Sequence, residues 1–183
     1  MMTQKLFEPE MSSRAVLAER MALAGVKEAA EIGVFQGLYS EALCQKIPGL
    51  HLLCVDTWKP SRNHKNPVRM ERYYRHAQKR LAPFKTTFMR MTSLEAATLV
   101  NDNSLDAVYI DALHDYKNVL DDLNAWVPKV RPGGIIAGHD WSHPGVTAAV
   151  VEFTEIHGIE QIYTTINCDA DWYPSFCWVN NGS

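Results

Sequence analysis

Two periods of hydrophobicity alternate along the chain. Amphipathic stretches with apolar residues every three to four positions are separated by short β-branched runs, the pattern of strands joined by crossover helices. Residues 14–24 have helical spacing, 28–33 read as a first strand, and 39–46 as a helix ended by Pro48-Gly49. A second strand ends at Asp56, 59–67 is polar and irregular, and 68–81 is helix-like but too rich in cations to resemble a core element. Strands are expected at 86–91, 106–111 and 134–140, and helices at 93–99, 115–127 and 145–157. Tyr116, Val119, Leu120, Leu123 and Trp126 share one helical face, which assigns Tyr116 and Trp126 to the core. Val146, Ala149, Val150 and Phe153 form the inner face of the next helix. The run Ala107-Val-Tyr-Ile110 has no polar alternation, as expected of a parallel strand covered on both sides. The C-terminus breaks the pattern: 161–166 and 175–179 are β-rich with no room for a helix between them, so they should pair as an antiparallel hairpin. The fold class is α/β, a doubly wound seven-stranded mixed sheet with a C-terminal hairpin and helices on both faces. The reading is a single domain over 1–183, with 59–83 a candidate lid or a substrate or interface insertion.

Composition narrows the class. With 183 residues, 46% of them hydrophobic, the chain can bury a sizeable core, and no run of about eighteen apolar residues suggests a membrane span. A net charge of −3 gives no field that would draw it to a long nucleic acid or an anionic membrane. Arg62, Lys65, Arg69, Arg72, Arg75, Lys79 and Arg80 do form a local basic run, with Tyr73-Tyr74 inside it. A solvated face is its ordinary meaning, and an acidic substrate or a stacked base is the sharper one. Cys44, Cys54, Cys168 and Cys177 form no C-x-x-C pair, and the N-terminus has no signal-peptide core, so a reducing cytoplasm is expected.

The chemistry concentrates in Glu31-Ile-Gly-Val-Phe-Gln-Gly37 and in Asp56. Gly33 and Gly37 sit where a strand turns into a helix, and a distant strand-end carboxylate can accept the hydroxyls of a ribose. A dinucleotide fingerprint would put glycine at position 35 to admit a pyrophosphate, and Phe35 stands there instead. Polar residues also end other strands: Asp111 with His114 behind it, and His139-Asp140. Ligands of open α/β sheets bind at those carboxyl ends.

Several blocks carry a family resemblance: Tyr109-Ile-Asp-Ala-Leu-His-Asp-Tyr116, Asp122-Leu-Asn-Ala-Trp126, Pro132-Gly-Gly-Ile-Ile136 and Gly138-His-Asp-Trp141. In this order and at strand ends they resemble the class I S-adenosylmethionine-dependent methyltransferases. Within that class they are similar to the small bacterial enzymes related to macrocin O-methyltransferase, and more distantly to catechol O-methyltransferase. The resemblance covers nearly the whole chain and implies a Rossmann-like sheet, S-adenosyl-L-methionine as methyl donor and O-methylation of a small molecule. It puts the donor against Glu31, Gly33, Phe35, Gly37, Ser40, Asp56, Thr57, Ser93 and Asp111, with Glu31 near the methionine end, Thr57 and Trp58 walling the ribose, and Ser93 and Leu94 near the adenine.

In metal-dependent relatives an acid after strand four and a polar pair after strand five hold a divalent cation, which assigns Asp111, His139 and Asp140 as metal ligands. A His-Asp pair departs from the usual acidic pair and suits a transition metal better than magnesium. Asp111, His114 and His139 are the catalytic candidates, with either histidine as a general base if no metal binds, or both as hydrogen-bonded turn residues. Rival classes are a methyltransferase acting on nucleic acid or protein, a nicotinamide oxidoreductase, and a non-catalytic binding module. With no separate substrate domain, the acceptor pocket must come from loops, from the segment before Glu28 or from a second subunit, which makes a homo-oligomer an expectation.

Overall fold

The computed structural model describes residue 7 and residues 11–60, 65–166 and 173–182. Arg62 and His64 of the polar stretch and Cys168 lie outside the described residues. In chain order the elements are α1 (Arg14–Leu23), β1 (Glu28–Ile32), α2 (Leu38–Lys46), β2 (His51–Val55), α3 (Pro67–Leu81) and β3 (Lys85–Met89). They continue with α4 (Ser93–Ala97), β4 (Leu105–Ile110), α5 (Tyr116–Trp126), a 3-10 turn (Val127–Lys129), β5 (Val130–Gly138), α6 (Pro144–Ile156), β6 (Tyr163–Thr164) and β7 (Phe176–Val179). The seven strands form one sheet in the order β3-β2-β1-β4-β5-β7-β6. The first five are parallel, and β7 runs antiparallel to both β5 and β6.

Apart from the edge strand β3, the parallel strands are largely buried because helices cover both faces. Leu17 and Met21 of α1, Leu43 of α2 and Leu81 of α3 pack with Ala29, Leu52, Tyr109 and Ala137 on one face. Val119, Leu123 and Trp126 of α5 and Val146, Val150 and Phe153 of α6 pack with Ala30, Ile32, Val108 and Ile136 on the other. Local signals set the helix starts: Asn66 and Asp115 accept backbone N–H groups as N-caps, and Thr92 with Glu95 closes a capping box. No helix among the described residues is long and apolar enough to cross a membrane.

Three expectations need correction. The basic segment does carry a core face, since Met70, Ala77 and Leu81 of α3 are buried and Tyr74 packs on Trp58 and Phe88. Its cations occupy the opposite face, so charge count concealed an amphipathic helix. Tyr116 is 39% exposed, and its hydroxyl donates to Glu152 at 2.6 Å, so it bridges α5 to α6 at the surface. β5 begins at Val130 and runs through Pro132-Gly133-Gly134, with the register against β4 shifted between Leu105 and Ala107. Gly134 is needed there because a Cβ would lie 2.6 Å from Asp106 O.

Candidate functional site

The carboxyl ends of the strands hold their trailing residues by continuing the ladder. Gly33 N–H donates to Val55 O at 2.8 Å, Asp111 N–H to Ile32 O at 2.7 Å and His139 N–H to Ile110 O at 3.0 Å. With Asp56 N–H donating to Met89 O at 3.3 Å, the residues just past β1, β2, β4 and β5 are anchored by backbone.

On the β1–β2 side, Asp56 organises the turn. Its Oδ2 accepts from Phe35 N–H at 2.9 Å and its Oδ1 from Trp58 N–H at 2.8 Å. Each carboxylate oxygen has two lone pairs, so each keeps one for a ligand hydroxyl. Gly33 (φ +96°) admits the β4 exit: a Cβ there would lie 2.0 Å from Asp111 O. Gly37 (φ +74°) starts α2 in the left-handed region, with Ala77 of α3 against it. Phe35 is also left-handed (φ 53°), and its ring packs on Tyr73, centroids 4.4 Å apart. The Arg80 Nε–H donates to Gln36 O at 3.2 Å, so α3 braces the whole turn.

Glu31 and Ser40 meet inside this side. Glu31 is 1% exposed and accepts a hydrogen bond from the Ser40 hydroxyl. Burial raises its carboxyl to about 8, although the Ser40 bond opposes the shift. Ser40 therefore acts through Glu31, at the first turn of α2.

Two of the expected donor contacts are otherwise engaged. Trp58 does not face a ribose: its indole is 1% exposed, packed between Tyr74 and Phe88, with Nε1–H donating to Phe35 O at 2.8 Å. The Ser93 hydroxyl accepts from Trp126 Nε1–H at 2.8 Å and bonds to buried Asp122, whose carboxyl burial pushes up to about 6. Thr57 caps the backbone N–H of Lys59 at 3.2 Å, and Leu94 is exposed.

The β4–β5 side is a cluster of charge. Asp111, His139 and Asp140 each bring one ligand atom within 4.8 Å of the others. His114 Nε2 lies 2.9 Å from Asp140 Oδ2 and 3.7 Å from Asp111 Oδ1, and His139 Nδ1 lies 3.3 Å and 3.8 Å from the same two atoms. The carboxylates of Asp111 and Asp140 push the His114 imidazole up to about 10. Burial pulls His139 down, but the bond to Asp140 and the charge of Asp111 outweigh it and the net shift is upward. Burial would raise Asp140, yet the bonds to His114 and His139 hold it below the usual carboxylate range. Asp140 is 6% exposed and left-handed (φ 57°), a conformation that aspartate tolerates better than most residues. The two carboxylates facing it favour the protonated form of His114.

Two carboxylates and an imidazole on a converging set fit a divalent cation, with nitrogen favouring a transition metal. Such an ion would compete with the His114 proton for the Asp140 carboxylate.

One site residue has no counterpart in the motifs. Arg14, the first residue of α1, sets its guanidinium 5.1 Å from the Tyr39 ring centroid and Nη1 4.0 Å from Asp111 Oδ2. Tyr39 O–H donates to Arg14 O at 3.1 Å. The available sequence signal is weak: a cation in the first turn opposes the helix dipole and invites a reason.

The family described as Methyltransferase domain matches residues 30–141. An uncharacterised protein of Sinorhizobium fredii, y4gI, is 26% identical over 153 residues, 73% of this chain and 16% of y4gI, so the chain spans about a sixth of that relative's length. Among solved structures, the O-methyltransferase TomG from Streptomyces achromogenes, involved in tomaymycin synthesis and solved in complex with SAM, superposes with a TM-score of 0.68 at 16% identity. The match covers 99% of this chain and 88% of TomG. The N-methyltransferase NodS from Bradyrhizobium japonicum WM9 gives 0.62 at 16% identity, over 91% and 94% of the two chains. At such identities the likeness is one of fold, and the two names differ in the acceptor atom.

Proposed function

Because the chain belongs to the methyltransferase-domain family, we propose that it transfers a methyl group from S-adenosylmethionine to a hydroxyl of a small molecule. The observation that carries the reading is Asp56, a partly exposed strand-end carboxylate whose two oxygens each accept one backbone N–H. That is a preorganised acceptor for a ribose diol. A pyrophosphate is poorly served at the same turn, because Phe35 stands where a dinucleotide fingerprint places the glycine that lets the phosphates approach the backbone. This argues for a donor without phosphates.

Methyl transfer is an in-line displacement on a sulfonium, so the protein's main task is alignment of nucleophile, methyl and sulfur. The rigid β1–β2 turn serves the donor, and the charged β4–β5 ends lie across Gly33 from it. A divalent cation held by Asp111, His139 and Asp140 would lower the pKa of an acceptor hydroxyl. The half-buried Asp111 and the raised His139 leave polar groups of both signs facing the acceptor side, which favours a polar substrate over an apolar one.

Calorimetric titration with S-adenosylhomocysteine is the direct test, run against NADH on the same protein. Binding of the thioether with no binding of NADH is expected. Asp56→Ala should weaken the thioether by about thirtyfold or more, as a charged acceptor of two hydroxyls is lost. NADH binding in preference, or full affinity in Asp56→Ala, would remove the assignment.

A further inference from the structure

We propose that Thr87, His51 and Glu28 form a second reactive site, in which the Thr87 hydroxyl attacks a carboxylic ester and takes its acyl group. Glu28 and His51 open β1 and β2 and stand opposite each other in register, and Thr87 is the third residue of β3, opposite Leu53. The trio thus lies toward the amino ends of the strands, away from Asp56 and Asp111, and its chemistry does not depend on the methyl donor. Alternation along the strands puts it on the face of Ala30, Leu53 and Met89. There α4 has only five residues, and β3 is left open.

The geometry is that of an activated hydroxyl. Glu28 Oε2 lies 2.7 Å from His51 Nδ1, and His51 Nε2 lies 2.9 Å from Thr87 Oγ1. An ionised carboxylate only accepts hydrogen bonds, so in neutral His51 the proton sits on Nδ1 and Nε2 accepts from the Thr87 hydroxyl. A hydroxyl bonded to an imidazole that a carboxylate orients is the arrangement by which a weak nucleophile is activated. A purely structural role explains it less well. Thr87 is exposed, so water would satisfy its hydroxyl, yet the imidazole is held at both nitrogens across three strands.

The surroundings suit an ester. Lys85, two residues before Thr87 on the same face, sets Nζ 3.8 Å from Glu28 Oε1 and supplies a cation for the carbonyl oxygen that turns negative during attack. Leu53 and Met89, half-buried beside Thr87, give an apolar floor to a short acyl or aryl group. In the reaction the Thr87 oxygen bonds to the acyl carbon while its proton passes to His51 Nε2. The bond from that carbon to the leaving oxygen then breaks, and the leaving group departs with the electron pair and the proton from His51. Thr87 is left as an acyl ester. Water attacks that ester, its proton passing through His51 to the Thr87 oxygen, and the carboxylic acid is released.

p-Nitrophenyl acetate is the probe. Wild-type protein should release nitrophenolate at least about tenfold faster than Thr87→Val, and should carry an acetyl group on Thr87 when quenched in acid and mapped by mass spectrometry. His51→Gln should lose as much as Thr87→Val, whereas Thr87→Ser should keep the reaction because the hydroxyl remains. Glu28 is a positioning residue, so Glu28→Gln should slow release by about tenfold at an unchanged half-saturating ester concentration. Release by Thr87→Val at the wild-type rate would overturn the proposal, as would acetyl found on Lys85 or another side chain in place of Thr87. Should Thr87→Val not fold, the position of the acetyl group in the wild-type protein decides.

Discussion

The two halves of the site are built by different means. Around Asp56 and the turn from Gly33 to Gly37, position is set by backbone: amides bonded to a carboxylate, left-handed residues and a bracing helix. Around Asp111 and Asp140, position is set by side-chain charges that hold one another, with His114 and His139 between two carboxylates. The first half is rigid and suits an invariant ligand. In the second, a cation that bound would displace protons from the groups it met.

The sharpest way to break this division is at Gly33, where the halves come into close contact. Gly33→Ala puts a Cβ 2.0 Å from Asp111 O at a φ of +96°, so β1 and β4 must part. A destabilisation of about 3 kcal/mol or more is expected in urea unfolding, together with loss of S-adenosylhomocysteine binding. Stability within about 0.5 kcal/mol of wild type would show that the contact between the halves yields easily.

Asp140→Ala should separate them instead. Donor affinity should stay within about twofold, while Mn²⁺ affinity falls at least about tenfold and the His114 titration, followed by NMR, drops by more than about one pH unit from its raised value of about 10. A matching loss of donor affinity would mean that the halves are one unit.

An effect spread over pH rather than concentrated in one variant comes from Glu31, on the β1–β2 side. Its carboxyl is raised from 4.5 to about 8 by burial, so the folded state holds a proton that the unfolded chain releases. Its contribution to stability is full below about pH 4.5 and is lost as pH rises toward about 8, with a slope of up to about 1.4 kcal/mol per pH unit. Glu31→Gln should flatten that part of the pH–stability curve. An unchanged slope would show that Glu31 does not carry the titration.

Much of this was legible in the chain. The period-2 and period-3.6 patterns gave strands and helices in their observed order, and the two β-rich runs at 161–166 and 175–179 contain the antiparallel β6 and β7. Asp56, Asp111, His139 and Asp140 were visible because each follows an apolar run, and a strand end is a local feature. The errors were of another kind. Tyr116 obeys helical spacing yet lies at the edge of the apolar stripe, and α3 hides three buried residues beneath its cations. Periodicity gives a face but not what covers it.

Sequence alone therefore determined the element order, the class of sheet and which carboxylates end strands, because those depend on residues near one another in the chain. Tertiary structure decided the rest. It turned Trp58 inward, engaged Ser93 with Trp126, gave Ser40 to Glu31, and brought Arg14 from before the first strand to within 4.0 Å of Asp111 after the fourth. Those pairings are separated by up to 97 positions (111 minus 14), and no local rule links them. For Asp111, it is the sheet order, placing β4 beside β1, that brings it to this end of the site.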